Sequence, residues 1–128
     1  MIDHIDHVVL TTRDLHSCLR FYGEILGMKV EKFQTPDATR LALRFGNQKI
    51  NVHEWGREFS PRAHVAAPGT LDLCFIASVS IEKVMEKLRQ EKIDILEGPV
   101  MKTGATGKIR SVYVRDPDLN LVEISELA

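Results

Sequence analysis

The stretch Ser111-Val112-Tyr113-Val114-Arg115-Asp116-Pro117-Asp118-Leu119-Asn120-Leu121-Val122-Glu123-Ile124-Ser125 decides how this chain folds. Before the turn, Val112 and Val114 alternate with Tyr113 and Arg115. After it, Val122 and Ile124 alternate with Leu121, Glu123 and Ser125. Between the runs, Asp116-Pro117-Asp118-Leu119-Asn120 has turn chemistry, because proline presets φ while Asp and Asn fold back onto their own backbone. The stretch therefore reads as a β-hairpin. Side chains alternate across a strand, so Val122 and Ile124 face a core and Glu123 points the other way. A carboxylate in mid-strand is either part of a solvated face or a group aimed into a cavity as metal ligand or general base.

Upstream, the alternation continues. Residues 4–12 read as a strand with Val8 and Leu10 on one face and Ile5, His7, Val9 and Thr11 on the other. Asp14 caps a helix with the stripe Leu15, Leu19, Tyr22 and Leu26, ended by Gly27. Strands follow at 28–33, 39–45 and 48–55; in the last, Ile50 and Val52 oppose Asn51 and His53. Residues 57–69 have no sustained periodicity and read as a connection. Then the order repeats. A strand at 71–78 sets Leu71, Leu73 and Phe75 against Asp72, Cys74 and Ile76. Ser80 caps a helix with the stripe Ile81, Val84, Met85 and Leu88. A short strand around Gly98-Pro99-Val100, a loop at Gly104–Gly107 that is either a gate or a plain turn, and the hairpin complete it. Self-similarity at about 65–70 residues means one supersecondary unit used twice. The expected fold is α+β: two β-α-β-β-β modules, about 3–56 and 70–128, forming one curved mixed sheet in a single domain with the helices on its outer face.

Composition narrows the function. The chain has 128 residues, 44% of them hydrophobic, and a net charge of −1, which fits one ordinary soluble domain or two very small ones sharing a core. No basic block points to nucleic acid or an anionic membrane, and no apolar run reaches membrane-span length. Met1-Ile2-Asp3-His4 has neither the basic nor the apolar region of a secretion signal, so a cytoplasmic location is expected. Cys18 and Cys74 form no C-x-x-C motif and read as reduced core thiols.

Sorting side chains by face brings the polar residues into focus. The aliphatic faces of the terminal strands belong under the helices. His7, His53, Asp72 and Glu123 lie on the opposite faces. A two-fold arrangement of the modules directs these four toward a common centre. Histidine and carboxylate ligands suit Mn, Ni, Zn or Fe with positions open for substrate. No local pair such as H-x-x-x-H exists, so the inference depends on the repeat. Arg110 is a candidate anion clamp and Tyr113 a candidate proton donor, each against an ordinary role in the surface or wall. His4, His16 and His64 read as solvated.

At this point the chain resembles a family. The repeat itself, Ile5-Asp6-His7-Val8-Val9-Leu10, Phe21-Tyr22-Gly23-Glu24-Ile25-Leu26-Gly27, and the run from Asp116 to Ile124 are similar to the vicinal oxygen chelate superfamily. That superfamily holds glyoxalase I, extradiol dioxygenases, fosfomycin-modifying enzymes and bleomycin-resistance proteins. Lys49-Ile50-Asn51-Val52-His53, Leu71-Asp72-Leu73-Cys74-Phe75-Ile76 and Glu97-Gly98-Pro99-Val100 draw it nearest to glyoxalase-domain-containing and similar bacterial proteins. The resemblance implies metal ligands at His7 and Glu123. Asp72 stands where a His is common, and His53 where glyoxalase I has Glu. It also implies a homodimer acting on a small molecule. The divalent ion acts as a Lewis acid on an oxygen-bearing substrate in a lyase, isomerase or dioxygenase reaction, and Glu123 moves the proton. The rival reading is a metal-free small-molecule binding protein. That reading expects an aromatic cup, whereas only 6% of the residues here are aromatic.

Overall fold

The repeat of strand, helix and three strands appears in the computed structural model, which describes all 128 residues. The first pass runs β1 (His7–Thr12), α1 (Leu15–Leu19), a π-helical continuation (Arg20–Ile25), β2 (Lys29–Gln34), β3 (Thr39–Phe45) and β4 (Gln48–Glu54). The second runs β5 (Asp72–Ile76), α2 (Ile81–Gln90), β6 (Glu97–Thr103), β7 (Lys108–Arg115) and β8 (Leu121–Leu127). The strands do not form one continuous sheet. They hydrogen-bond as two four-stranded sheets, ordered β1-β4-β3-β2 and β5-β8-β7-β6. Each sheet belongs to its own compact unit, Met1–Thr70 and Leu71–Ala128. In each, the first strand pairs in parallel with the last and the remaining pairs are antiparallel.

The first helix begins where Asp14 accepts the Ser17 N–H at 3.2 Å. It then widens: the Leu26 N–H reaches the Phe21 carbonyl five residues back, at 3.0 Å. The widened turn moves the buried stripe off the expected positions. Cys18, Phe21, Tyr22 and Ile25 are buried, while Leu15, Leu19 and Leu26 are half-buried. Gly27, with φ +83°, ends the helix as expected of a C′ glycine. Leu10, Leu43, Ile50 and Val52 complete the core of this unit.

In the second unit, Ser80 caps α2, and Ile81, Val84 and Leu88 are buried with Val112, Val114, Val122 and Ile124. Truncating Val84 to Ala removes two carbons from this layer and is expected to cost about 1–2 kcal/mol, read from urea denaturation. Gly98 carries φ +112° at a register shift between β6 and β7, and a Cβ there would stand 2.4 Å from the Ser111 carbonyl oxygen. Only glycine fits that approach. Gly104 and Gly107 close the β6–β7 hairpin through an N–H to carbonyl bond of 2.7 Å, a plain turn. No helix is long and apolar enough to cross a membrane.

Candidate functional site

Each sheet keeps one face free of its helix, and most of the candidate residues lie on those faces. Pairing arranges the first unit's face in cross-strand rows. His7 lies opposite Lys49, Lys49 opposite Arg44, and Arg44 opposite Lys29. The next row is Val9, Asn51, Ala42 and Glu31. Beyond it, Thr11 faces His53, and Phe33 faces Arg40. His7 and His53 thus share a face but not a row. They are four residues out of register, 53 against 49. That is about 13 Å along the strands, farther than two imidazoles bound to one ion at about 2 Å can span.

The two imidazoles have different surroundings. His7 donates from Nδ1 to Asp6 Oδ1 at 2.8 Å, which leaves Nε2 as its open nitrogen. That bond holds the Asp6 carboxyl below its ordinary value. His53 packs edge-on to Phe59 at 5.3 Å. Burial first, and then the positive charge of Arg40, push its pKa below the ordinary 6.5. The lowered His53 pKa suits coordination, which needs the neutral ring. The shift also has a sign for stability. Below about pH 6.5 the unfolded chain binds a proton that folded His53 resists, so acid favours unfolding in the metal-free protein. His53→Gln should flatten that loss of stability, measured by urea denaturation at pH values on either side of the window. Asn51, which sequence reasoning passed over, lies in the row between the histidines with Oδ1 buried and without a hydrogen-bond partner.

The second unit's face is more closely knit. One row crosses all four strands: Cys74, Glu123, Tyr113 and Glu97. Glu123 is half-buried. Ser111 donates to Glu123 Oε2 at 2.7 Å, and its oxygen lies 2.7 Å from Ser125 Oγ. Since the Ser111 proton goes to the carboxylate, Ser125 donates to Ser111. Cys74 Sγ ends the chain 3.5 Å from Ser125 Oγ. Burial and the adjacent Glu123 charge push both the Cys74 thiol and the Tyr113 phenol above their ordinary values. At neutral pH both keep their protons. Glu123 can coordinate a cation or take a proton through Oε1 while Ser111 holds Oε2.

Three expectations change here. Cys74 is exposed on the helix-free face, not a core thiol, although Cys18 is buried as expected. Cys74, not Asp72, lies beside Glu123; Asp72 is one row away, opposite Leu121. Arg110 is on the helix side of β7, where Glu82 accepts from Nη2 at 2.6 Å and Glu126 stands 3.5 Å from Nε. It is three residues from Tyr113, and an odd step along a strand reverses the face. His4, His16 and His64 are exposed. Within neither unit do three or more His, Cys, Asp or Glu side chains stand together as a metal-holding group. Ser111 and Ser125, which carry the network, had no signal in the sequence beyond their alternation with the valines.

Comparison with known proteins adds the family. The family model described as "Glyoxalase/Bleomycin resistance protein/Dioxygenase superfamily" matches residues 4–124. A Salmonella typhimurium virulence protein is 51% identical over 126 residues, 98% of this chain and 85% of that protein. A glyoxalase domain-containing protein of Mycosarcoma maydis is 48% identical over 94% of this chain and 66% of its own length. The crystal structure of the Salmonella protein superposes with a TM-score of 0.94 at 50% identity, covering 100% of this chain and 99% of that one. More distant structures share the fold alone. A lactoylglutathione lyase of Agrobacterium tumefaciens has a TM-score of 0.72 at 21% identity, covering 98% of this chain and 95% of that one. An antibiotic-binding protein of Streptomyces has a TM-score of 0.75 at 17% identity, covering 99% and 98%.

Proposed function

Because the chain belongs to the glyoxalase/bleomycin resistance protein/dioxygenase superfamily, we propose that it is a metal-dependent enzyme acting on a small oxygen-bearing substrate. The observation that carries this reading is Glu123: a half-buried carboxylate held on one oxygen by Ser111, with protonated Tyr113 and Cys74 in its row. A second-sphere hydrogen bond of that kind orients a carboxylate ligand. The proposed ligands, as the family resemblance implies, are Glu123 and His7, whose Nδ1 is already bonded to Asp6. Asp72 is a candidate further ligand, tested by Asp72→Ala, whereas the register of β1 and β4 takes His53 out of reach of an ion held by His7. The donor set of imidazole and carboxylate fits Mn, Ni, Zn or Fe. When bound, such an ion would supply Lewis-acid polarisation of a substrate oxygen. The chain's own residues do the rest. Glu123 accepts the proton through Oε1, Ser111 orients the carboxylate through Oε2, and the Tyr113 phenol is positioned to donate. The reaction is accordingly a lyase, isomerase or dioxygenase reaction, in a cytoplasmic homodimer.

The test is elemental analysis of untagged protein refolded with each of the four metals. Near-stoichiometric retention that falls in His7→Ala supports the reading. Retention far below one ion per chain for every metal, unchanged in His7→Ala, transfers support to the second reading, a metal-free small-molecule binding protein. That alternative draws on the lack of any three-donor group within a unit and on the fold shared with the Streptomyces protein. Sedimentation velocity checks the dimer.

A further inference from the structure

We propose that the first unit holds a small organic oxyanion, a carboxylate or phosphate on a short apolar body, in a pocket anchored by Arg40. A cavity of about 160 Å³ opens beside the start of β3 and the end of β4. Leu15, Leu41, Val52 and Phe59 make its apolar side, and Thr39, Arg40, Arg57 and the carboxylate Glu54 contribute polar groups.

Arg40 is the unusual member. Its guanidinium carbon lies 3.9 Å from the centre of the Phe59 ring, so the ring fixes one face of the guanidinium plane. Its Nε is buried and has no hydrogen-bond partner. The carboxylate nearest to it, Asp37 Oδ1, is 3.8 Å from Nη2, beyond hydrogen-bond length. Asp37 is instead engaged by the Thr35 hydroxyl at 2.8 Å. Arg57 is likewise 3.6 Å from Glu54 and not hydrogen-bonded to it. A buried guanidinium N–H without an acceptor is costly, and water must be small and well placed to relieve it. A planar oxyanion meets the fork of donors along its edge, which a point-charge amine would not match. The wall of Leu15, Leu41 and Val52 suits a few methylenes, and the Glu54 carboxylate on the same lining disfavours a second negative charge. Leu15 of α1, Leu41 and Val52 put the pocket on the helix side of the sheet, and Phe59 at its rim meets His53 of the opposite face edge-on. The pocket uses none of the proposed ion ligands and is tested without metal, so its failure and the failure of the metal reading are separate.

The experiment is an amide NMR titration of the full chain in chelator, with sodium butyrate, sodium acetate and inorganic phosphate as probes at constant ionic strength. The expected result is saturable movement of the Thr39 and Leu41 signals, with millimolar affinity fitting so small a ligand. Butyrate tighter than phosphate identifies a carboxylate on an apolar body; phosphate tighter than butyrate identifies a phosphate head group. Arg40→Gln should weaken the preferred probe at least about tenfold, the scale of one charge-assisted hydrogen bond. Arg40→Lys retains the charge without the fork and should fall between. The proposal is overturned by unsaturable shifts, by equal shifts with sodium chloride, or by wild-type affinity in Arg40→Lys and Arg40→Gln together.

Discussion

Asp116→Ala is expected to lower the stability of the protein by about 3–5 kcal/mol, a large share of the 5–15 kcal/mol typical of a domain. Asp116 is only 3% exposed at the turn between β7 and β8. Its Oδ1 accepts the N–H groups of Asp118 and Asn120, each at 2.9 Å, and its Oδ2 accepts Asn120 Nδ2 at 2.8 Å. Asn120, 1% exposed, passes the connection on by accepting the Leu71 N–H at 2.9 Å, just before β5. One carboxylate thus satisfies three buried donors and ties the last hairpin to the first strand of its unit. Removing it leaves those donors dry, at about 1–3 kcal/mol each before relaxation and water entry reduce the sum. Asp116→Asn keeps an acceptor oxygen and should recover part of the loss. Urea denaturation measures both; a change below about 1 kcal/mol in Asp116→Ala would mean that the turn is held by its backbone alone.

The second large effect is on metal-linked stability. Under the proposed function, a divalent ion at a hundred times its Kd should stabilise wild-type protein by about 2.7 kcal/mol. Glu123→Gln should gain far less, because a neutral amide replaces the anionic oxygen. Ser111→Ala should lie between, since losing the hydrogen bond that orients a carboxylate ligand weakens metal affinity about 10–100-fold. Acidification should erase the wild-type gain as imidazole and carboxylate take up protons. Thermal melting of the three proteins across a metal titration reads all of this. Identical shifts in wild type and Glu123→Gln remove Glu123 from the ligands and leave it as the hydrogen-bonding partner of Ser111.

Much of this was written locally in the chain. Alternation of apolar and polar residues marked the strands, the caps Asp14 and Ser80 marked both helix starts, and Asp116 to Asn120 announced the hairpin turn. The same period of two put Glu123 and Tyr113 on the face away from the helix, because facing is decided by neighbours along one strand. The widened turn at Arg20–Ile25 was not legible, since the apolar pattern there reads equally as an ordinary 3.6-residue helix.

What stands beside what required tertiary structure. The β5–β8 register, set between residues some fifty positions apart, puts Cys74 and not Asp72 next to Glu123. The β1–β4 register separates His7 from His53, although both face the same way. Arg110 took its place from the ion pair with Glu82 on α2, and Arg40 from the ring of Phe59. Periodicity along a strand assigns a residue to a face; register between strands, together with the packing that fixes it, decides which groups on that face meet. That second choice depends on partners distant in sequence, and it is the one that sets the chemistry around Glu123.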